Sequence, residues 1–344
     1  MKAVMFYGDS KVDIVDLPTP VPGPGEVLIR NRASAICRSD MGLYTGQSNI
    51  VGGDGAGKGQ IVPGHEAAGE IAAVGANVTH LKVGDRVAVH LAFGCGSCDH
   101  CKSGYTMLCP TWKCMGFDVN GGNAEYMIAP ASNALLLPDE LSFAAGAILT
   151  DMIGSQYSLQ TRMGVSGAST VAVIGLGPMG LAAIMVAAGL GATCYAIDII
   201  ESRLHHAEIL GASKSINAKS EDVDAVIKSL TNGQGVSVSI DCSGSPAGQN
   251  SALDIVAKLG STAFVGESRA TEINPSDQII RKLLKVYGGW YFALNEWGAI
   301  VDFVVRHKVP AEAMITHRYS LEEAAEAFAS FNRRETEKSV FIWD

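Results

Sequence analysis

The stretch TVAVIGLGPMGLAAIMVAAGLGATCYAID, residues 170–198, carries the fold of the chain. A β-favouring run, Val171 to Ile174, leads straight into Gly175, Gly177 and Gly180, and an apolar helical pattern opens directly after them. In a G-x-G-x-x-G turn the first glycine permits the tight turn. The second lets backbone approach a pyrophosphate, and the third lets helix and strand pack. Pro178 and Met179 sit in the same turn at the helix N-terminus, where unpaired N–H groups and the positive dipole end favour phosphate. Asp198 ends the next strand, 23 residues after Gly175. A carboxylate there holds both ribose hydroxyls and repels a 2′-phosphate, which favours NAD over NADP.

Outward from this turn, residues 152 to about 290 alternate strands with helices. After TCYAID comes the helix ESRLHHAEILGA; VSVSID precedes the helix PAGQNSALDIVAKLG, and the strand STAFVG follows. Strands alternating with helices imply βαβ units in a doubly wound parallel sheet, an α/β fold. Residues 1 to about 150 have another texture, dense in Gly, Pro and short alternating apolar runs: VDIVDLP, EVLIRNRASAIC, EAAGEIAAVG, DRVAVHLAF and AEYMIAP. That pattern predicts an all-β region with long loops. GGDGAGKG, residues 52–59, is expected as a surface loop. An amphipathic helix over Leu321 to Phe331 and a last strand, SVFIW, are expected to return to the first domain. The expected boundaries are 1–151 with 292–344 for one domain and 152–291 for the other.

A chain of 344 residues with 47% hydrophobic and 18% charged residues is a soluble globular protein of about two domains. The net charge of −9, with no basic run, argues against nucleic acid and anionic membrane surfaces as partners. The start, MKAVMFYGDSKVDIVDLP, alternates apolar and polar residues and predicts a strand pair rather than a signal peptide. The longest Gly/apolar run, Gly180 to Ala192, is too short to span a bilayer. A reducing, cytoplasmic compartment is the expectation, in which the eight cysteines serve as metal ligands or buried thiols.

Half of those cysteines, Cys95, Cys98, Cys101 and Cys109, fall in GCGSCDHCKSGYTMLC with spacing C-x2-C-x2-C-x7-C. Four thiolates so close can close a tetrahedral zinc sphere, here within a lobe over about 94–110. A second, open set begins with Cys37 in AICRSD and His65 in VPGHE. Thiolate plus imidazole suits zinc. Asp40 is placed to accept the second imidazole N–H, and Glu66 follows the histidine near the metal.

The strings CRSD, GHEAAGEIAAVG, VGDRVAV, CGSCDHCKSGYTMLC and VIGLGPMG make the chain resemble, over essentially its whole length, a zinc-dependent alcohol dehydrogenase of the medium-chain dehydrogenase/reductase family. The resemblance implies an N-terminal GroES-like β-barrel catalytic domain and a Rossmann coenzyme domain, with the active site in the cleft between them. It implies a catalytic zinc on Cys37 and His65 and a structural zinc on the four-cysteine lobe. The third catalytic ligand varies in the family; Asp151, in AILTDMIGSQYS, is the candidate here, with the N-cap of a helix starting there as its structural alternative. Ser39 matches the hydroxyl that meets the substrate oxygen and starts the proton relay. Arg38 and Lys338 match pyrophosphate contacts, Arg203 lies toward the adenosine ribose, and Val265 and Gly266 pass the nicotinamide. One position departs from the pattern: Gly42 stands where many relatives carry a histidine that passes the proton on.

The implied reaction is reversible hydride transfer between NAD and a secondary or medium-sized alcohol, apolar or aromatic, giving ketone or aldehyde. Leu91, Trp112, Met115 and Trp290 are candidate wall residues. Polyol or threonine dehydrogenases are the nearer alternative, although those relatives commonly use Glu as third ligand. A non-catalytic NAD(H)-binding relative is the other. Family members form dimers or tetramers, and a homotetramer is favoured, with the strand near Lys285 to Tyr291 as a candidate subunit contact.

Overall fold

The computed structural model describes residues 1–47 and 61–343, so the stretch 52–59 lies outside the described residues. The chain forms two compact units. One comprises Met1–Asp151, Ala293–Val301 and Ala311–Asp344; the other comprises Met152–Phe292 and Asp302–Pro310.

The first unit is built on the strand Glu26–Ala35. Its alternating apolar residues bury Val27, Ile29, Ala33 and Ala35 completely. At ten residues it is long enough to take different partners along its length. Glu26 to Arg30 pair antiparallel with Tyr126–Pro130, whereas Ala33 to Ala35 pair with the C-terminal strand Ser339–Ile342. The opposite edge pairs with Glu66–Val74, which continues to Arg86–Val89 and Ala134–Leu136. His317–Tyr319 completes the seven-stranded sheet beside Ser339–Ile342. A separate hairpin joins Lys2–Phe6 to Val12–Asp16.

The second unit holds a six-stranded sheet whose every adjacent pair is parallel. In sheet order its strands are Lys214–Asn217, Thr193–Asp198, Thr170–Ile174, Val236–Asp241, Val256–Phe264 and Lys285–Gly288. Strand order reverses between Thr170–Ile174 and Val236–Asp241, and such a switch point is where open α/β sheets bind ligands, beyond the C-terminal strand ends. Ala172, Ile174, Tyr195, Ile197, Ile216 and Ile255 pack into one buried cluster under the sheet.

Some expected elements shift. The helix expected over Pro246 to Gly260 stops at Ile255, and Val256 opens a strand at once. The Lys282 ammonium ends it by donating to the Leu253, Asp254 and Val256 carbonyls at 2.8, 2.6 and 3.1 Å. The helix expected from Leu321 begins as one tight 3-10 turn, Leu321–Glu323, and is α-helical over Ala324–Asn332. A helix over Trp297–Arg306 has no counterpart in the sequence reading. Within the second unit its Phe303 ring lies 4.9 Å from Tyr157. Among the described residues no helix is long and apolar enough to cross a membrane.

Candidate metal centre and dinucleotide turn

Strand Glu26–Ala35 runs through Ile36 to Cys37, and a short helix, Asp40–Thr45, follows. The Asp40 side chain is fully buried and serves two masters: Oδ2 accepts the Cys37 N–H at 2.9 Å, and Oδ1 lies 3.1 Å from His65 Nδ1. One carboxylate thus fixes the loop of one candidate ligand and the ring of another. His65 follows Gly64, whose φ of +98° and close neighbour Asn123, 2.8 Å from where a Cβ would stand, admit only glycine. The imidazole packs against Phe117 with ring centroids 5.2 Å apart.

Asp151 is not at a helix start. Helical segments Phe143–Ile148, Leu149–Ile153 and Gly154–Arg162 follow one another without a break, and the middle one is a π-turn centred on Asp151. The N-cap alternative is therefore wrong, because a helix already runs on both sides. A π-turn inserts one extra residue and re-aims the side chain within it, and such turns recur at functional sites. Here Asp151 Oδ2 lies 3.8 Å from Cys37 Sγ and 3.7 Å from His65 Nε2. Zinc bond lengths in a tetrahedral sphere put ligand atoms roughly 3.4–3.6 Å apart, so the three side chains suit one zinc with slight contraction. Glu66 joins them: one ligand atom from each of Cys37, His65, Glu66 and Asp151 lies within 4.8 Å of all the others.

Ser39 precedes the short helix, and its hydroxyl makes no capping bond. It lies instead 3.4 Å from His65 Nε2, at the ligand cluster. Burial alone would lower the His65 pKa. The Asp40 carboxylate, with hydrogen bonds to Asp151, Asp40 and Cys37, outweighs it and holds the imidazole well above its ordinary value. Burial pushes Glu66 up to about 7, against the pull of the Lys338 ammonium.

Lys338 corrects the sequence reading. It was expected at a pyrophosphate, but its side chain is 1% exposed and its Nζ donates to Glu66 Oε1 at 2.6 Å and to the Ile36 carbonyl at 3.0 Å. The cause is strand pairing: Ile36 N–H donates to Ser339 O at 2.9 Å, which carries the neighbouring Lys338 alongside Cys37. Lys338 belongs to the metal cluster. Arg38 is exposed beside it.

In the second unit Gly175 has φ +86°, and a Cβ there would stand 2.7 Å from Ser243. Gly177 caps the helix Pro178–Gly189, so Pro178 and Met179 form its first turn and Gly180 faces the strand. Asp198, at the end of its strand, is buried and locked by backbone donors: Leu176 N–H to Oδ2 at 2.6 Å, and Ile199 and Ile200 N–H to Oδ1 at 2.6 and 3.0 Å. Arg203 lies in the helix Glu201–Ile209 that follows. Val265 and Gly266 leave the strand Val256–Phe264, both N–H groups donating to Asp241 O at 2.9 and 3.0 Å.

All eight cysteines are free thiols. The sulfurs of Cys95, Cys98, Cys101 and Cys109 lie within 4.8 Å of one another, as the spacing predicts. Backbone N–H groups point at three of them: Cys98 to Cys95, Cys101 to Cys98 and Cys95 to Cys109, at 3.4, 3.5 and 3.4 Å. Hydrogen bonds led by Ser97 hold the Cys95 thiol at about 5, while burial pushes Cys101 up to about 12. A cation that replaces those protons would even out this asymmetry. Of the candidate wall residues, Leu91 and Met115 are fully buried, whereas Trp290 is 41% exposed.

Fold and site together define a metal-dependent oxidoreductase of the dinucleotide-binding type. Residues 23–139 match the alcohol dehydrogenase GroES-like domain family, and residues 178–306 match the zinc-binding dehydrogenase family. Sorbitol dehydrogenase of Bacillus subtilis is 35% identical over 331 residues, covering 95% of this chain and 92% of its own. L-threonine 3-dehydrogenase of Pyrococcus abyssi is 33% identical over 352 residues, covering 99% and 97%. An alcohol dehydrogenase of Escherichia coli CFT073, solved in complex with NADH, superposes with a TM-score of 0.89 at 25% identity, covering 100% of this chain and 99% of that one. The chain belongs to the zinc-dependent alcohol dehydrogenases of the medium-chain dehydrogenase/reductase family and is an oxidoreductase.

Proposed function

We propose that the chain reversibly oxidises a secondary alcohol with NAD, with Cys37, His65 and Asp151 as the ligands of a catalytic zinc. The observation that carries this reading is the convergence of Asp151 Oδ2 on Cys37 Sγ and His65 Nε2 at 3.8 and 3.7 Å. When bound, zinc supplies Lewis-acid activation of a hydroxyl or carbonyl oxygen, and NAD supplies the hydride acceptor. The protein's own groups do the rest. Asp40 holds His65 by Nδ1 and so leaves Nε2 for the metal. Ser39, within reach of that cluster, takes the substrate hydroxyl proton. Gly42 offers no imidazole to carry it further, so the onward carrier beyond Ser39 would be water.

NAD would lie on the turn Gly175, Gly177, Pro178, Met179 and Gly180, its ribose on Asp198, with Arg38, Arg203, Val265 and Gly266 as further contacts. Cys95, Cys98, Cys101 and Cys109 would hold a structural zinc. A polyol or amino-alcohol substrate is the second reading, favoured by the sorbitol and threonine dehydrogenases among the relatives. A cytoplasmic homotetramer is the accompanying proposal. Its supports are the free thiols and the outer sheet strand Lys285–Gly288, where Val286 is 46% exposed.

Metal analysis and NADH absorbance across primary, secondary and polyhydroxy alcohols test the reading. Two zinc ions per chain are expected from the two ligand groups, falling to one in Cys37→Ser with loss of turnover while NADH still binds. Turnover in metal-free protein would refute it.

A further inference from the structure

We infer that Gln249 is a positioning residue of the coenzyme site: its buried amide fixes the carbonyl of Gly266, and with it the strand exit beside which the nicotinamide half of NAD would lie. The inference rests on the proposed seat of NAD on the turn that opens the helix Pro178–Gly189.

That seat decides where each half goes. Asp198 ends a strand on one side of the switch point, so a dinucleotide with its adenosine ribose there extends across to the other side. The strands on that side end at Asp241 and Phe264, and Val265 and Gly266 leave the second of them. Gly266 is wedged in place: a Cβ there would run into the Gly244 N and stand 2.7 Å from its Cα. Its N–H donates to Asp241 O at 3.0 Å. Its carbonyl is held from the helix Pro246–Ile255, where Gln249 is 7% exposed and donates from Nε2 at 3.1 Å. Gln249 Oε1 in turn accepts from Thr271 Oγ1. Both ends of the amide are engaged, which leaves it one orientation.

The amide matters because the backbone offers no substitute. Beyond Gly266 the chain leaves the sheet, and residues 267–273 make no backbone–backbone hydrogen bond among the described residues. Side-chain amides take over that task. Asn250 Nδ2 donates to the Glu272 carbonyl at 3.0 Å, and its Oδ1 accepts from Gln278 Nε2 at 2.9 Å. Gln278 Oε1 accepts the Asn274 N–H at 2.8 Å. Asn250 and Gln278 therefore grip the chain from Glu272 onward, whereas Gln249 grips the strand exit itself. Removing that one hydrogen bond lowers the share of chains with Gly266 in its seat by up to roughly 10-fold, and affinity for whatever lies against it falls with that share.

The test compares NADH with ADP-ribose, which lacks the nicotinamide ring, on the full-length chain by calorimetry, with thermal unfolding alongside. Gln249→Met, close in length but without donor or acceptor, is expected to weaken NADH by about 3- to 10-fold and to leave ADP-ribose within about 2-fold. A merely structural glutamine would move both ligands together, or move only Tm. Asn250→Ala, which frees Glu272 and not Gly266, is expected to leave NADH within about 2-fold. Unchanged NADH affinity in Gln249→Met, an equal loss for both ligands, or an equal NADH loss in Asn250→Ala overturns the inference. If Gln249→Met does not fold, Thr271→Val, which removes only the hydroxyl behind the amide, carries the same comparison at about 3-fold. A wild-type chain that binds neither ligand would instead overturn the seat of NAD on the turn.

Discussion

Replacing Gly177 by alanine should separate coenzyme binding from stability. Gly177 has φ −64° and ψ −179°, an ordinary conformation for any residue, and a Cβ there meets nothing within 4 Å. Nothing in the protein itself demands glycine at this position. Alanine is a poorer N-cap than glycine, by roughly 0.5 kcal/mol, but it restricts the unfolded chain by about as much. Net stability should change by less than about 0.5 kcal/mol, or roughly 2 °C in Tm. A pyrophosphate seated on the N–H groups of this helix start, as proposed, would need the open space that the methyl would fill. Backing it off by about 1 Å forfeits most of a charge-assisted hydrogen bond, about 1.5–3 kcal/mol, or on the order of 10- to 100-fold in NADH affinity.

Gly180→Ala is the contrasting control. Its Cβ would run into the Gly175 carbonyl oxygen and stand 2.9 Å from the carbonyl carbon, both backbone atoms of the turn. Overpacking of about 3 kcal/mol, less about 1 kcal/mol gained in helix propensity, leaves a loss of about 2 kcal/mol and a Tm lower by roughly 4–8 °C. Fluorescence titration with NADH and thermal unfolding measure both variants. A Gly177→Ala protein that binds NADH as tightly as wild type would refute the assignment of the pyrophosphate to this turn; one that loses as much Tm as Gly180→Ala would refute the steric argument.

Cys98→Ser should lose one zinc and unfold at a lower temperature than Cys37→Ser, since metal in a closed thiolate shell contributes folding free energy; equal melting curves for the two would contradict it. Asp151→Asn should keep its shape but weaken metal at the Cys37 site by at least about 100-fold, more than an outer-shell change, with the four-cysteine zinc retained by elemental analysis. Zinc uptake should release protons near pH 6.5. His65 is raised well above its ordinary 6.5, and Glu66 from its ordinary 4.5 to about 7. Raised folded values mean that in the metal-free chain His65 stabilises fully below 6.5 and Glu66 below 4.5, and each loses that contribution as pH rises through its folded value. Zinc competes with the same protons, so its affinity should climb with pH; calorimetry in buffers of different ionisation enthalpy would show net proton release, and net uptake would contradict the assignment.

The local features were legible because each lies in one short segment. The glycine turn, Asp198 at its strand end and the cysteine spacing of the lobe are written in contiguous strings whose geometry follows from the local backbone. The same holds for the pairing of His65 with Asp40, once two short motifs were set side by side. Other features depended on residues far apart in the chain. Lys282 ends a helix whose own residues continue the helical pattern past Ile255, and only its distant ammonium, placed by folding, makes the stop. The N-cap alternative for Asp151 arose because a π-turn leaves no mark in composition; the extra residue is registered only by the packing it satisfies.

Lys338 shows the limit most clearly. The family resemblance implied a phosphate contact, whereas strand pairing with Ile36 delivers it, buried, to Glu66, 272 residues away in sequence. The chain's composition and motifs determined its class, its coenzyme turn and most of its candidate ligands. Only the tertiary structure decided which buried charges neutralise one another, because a charge withdrawn from water takes whatever partner the folded backbone sets within reach.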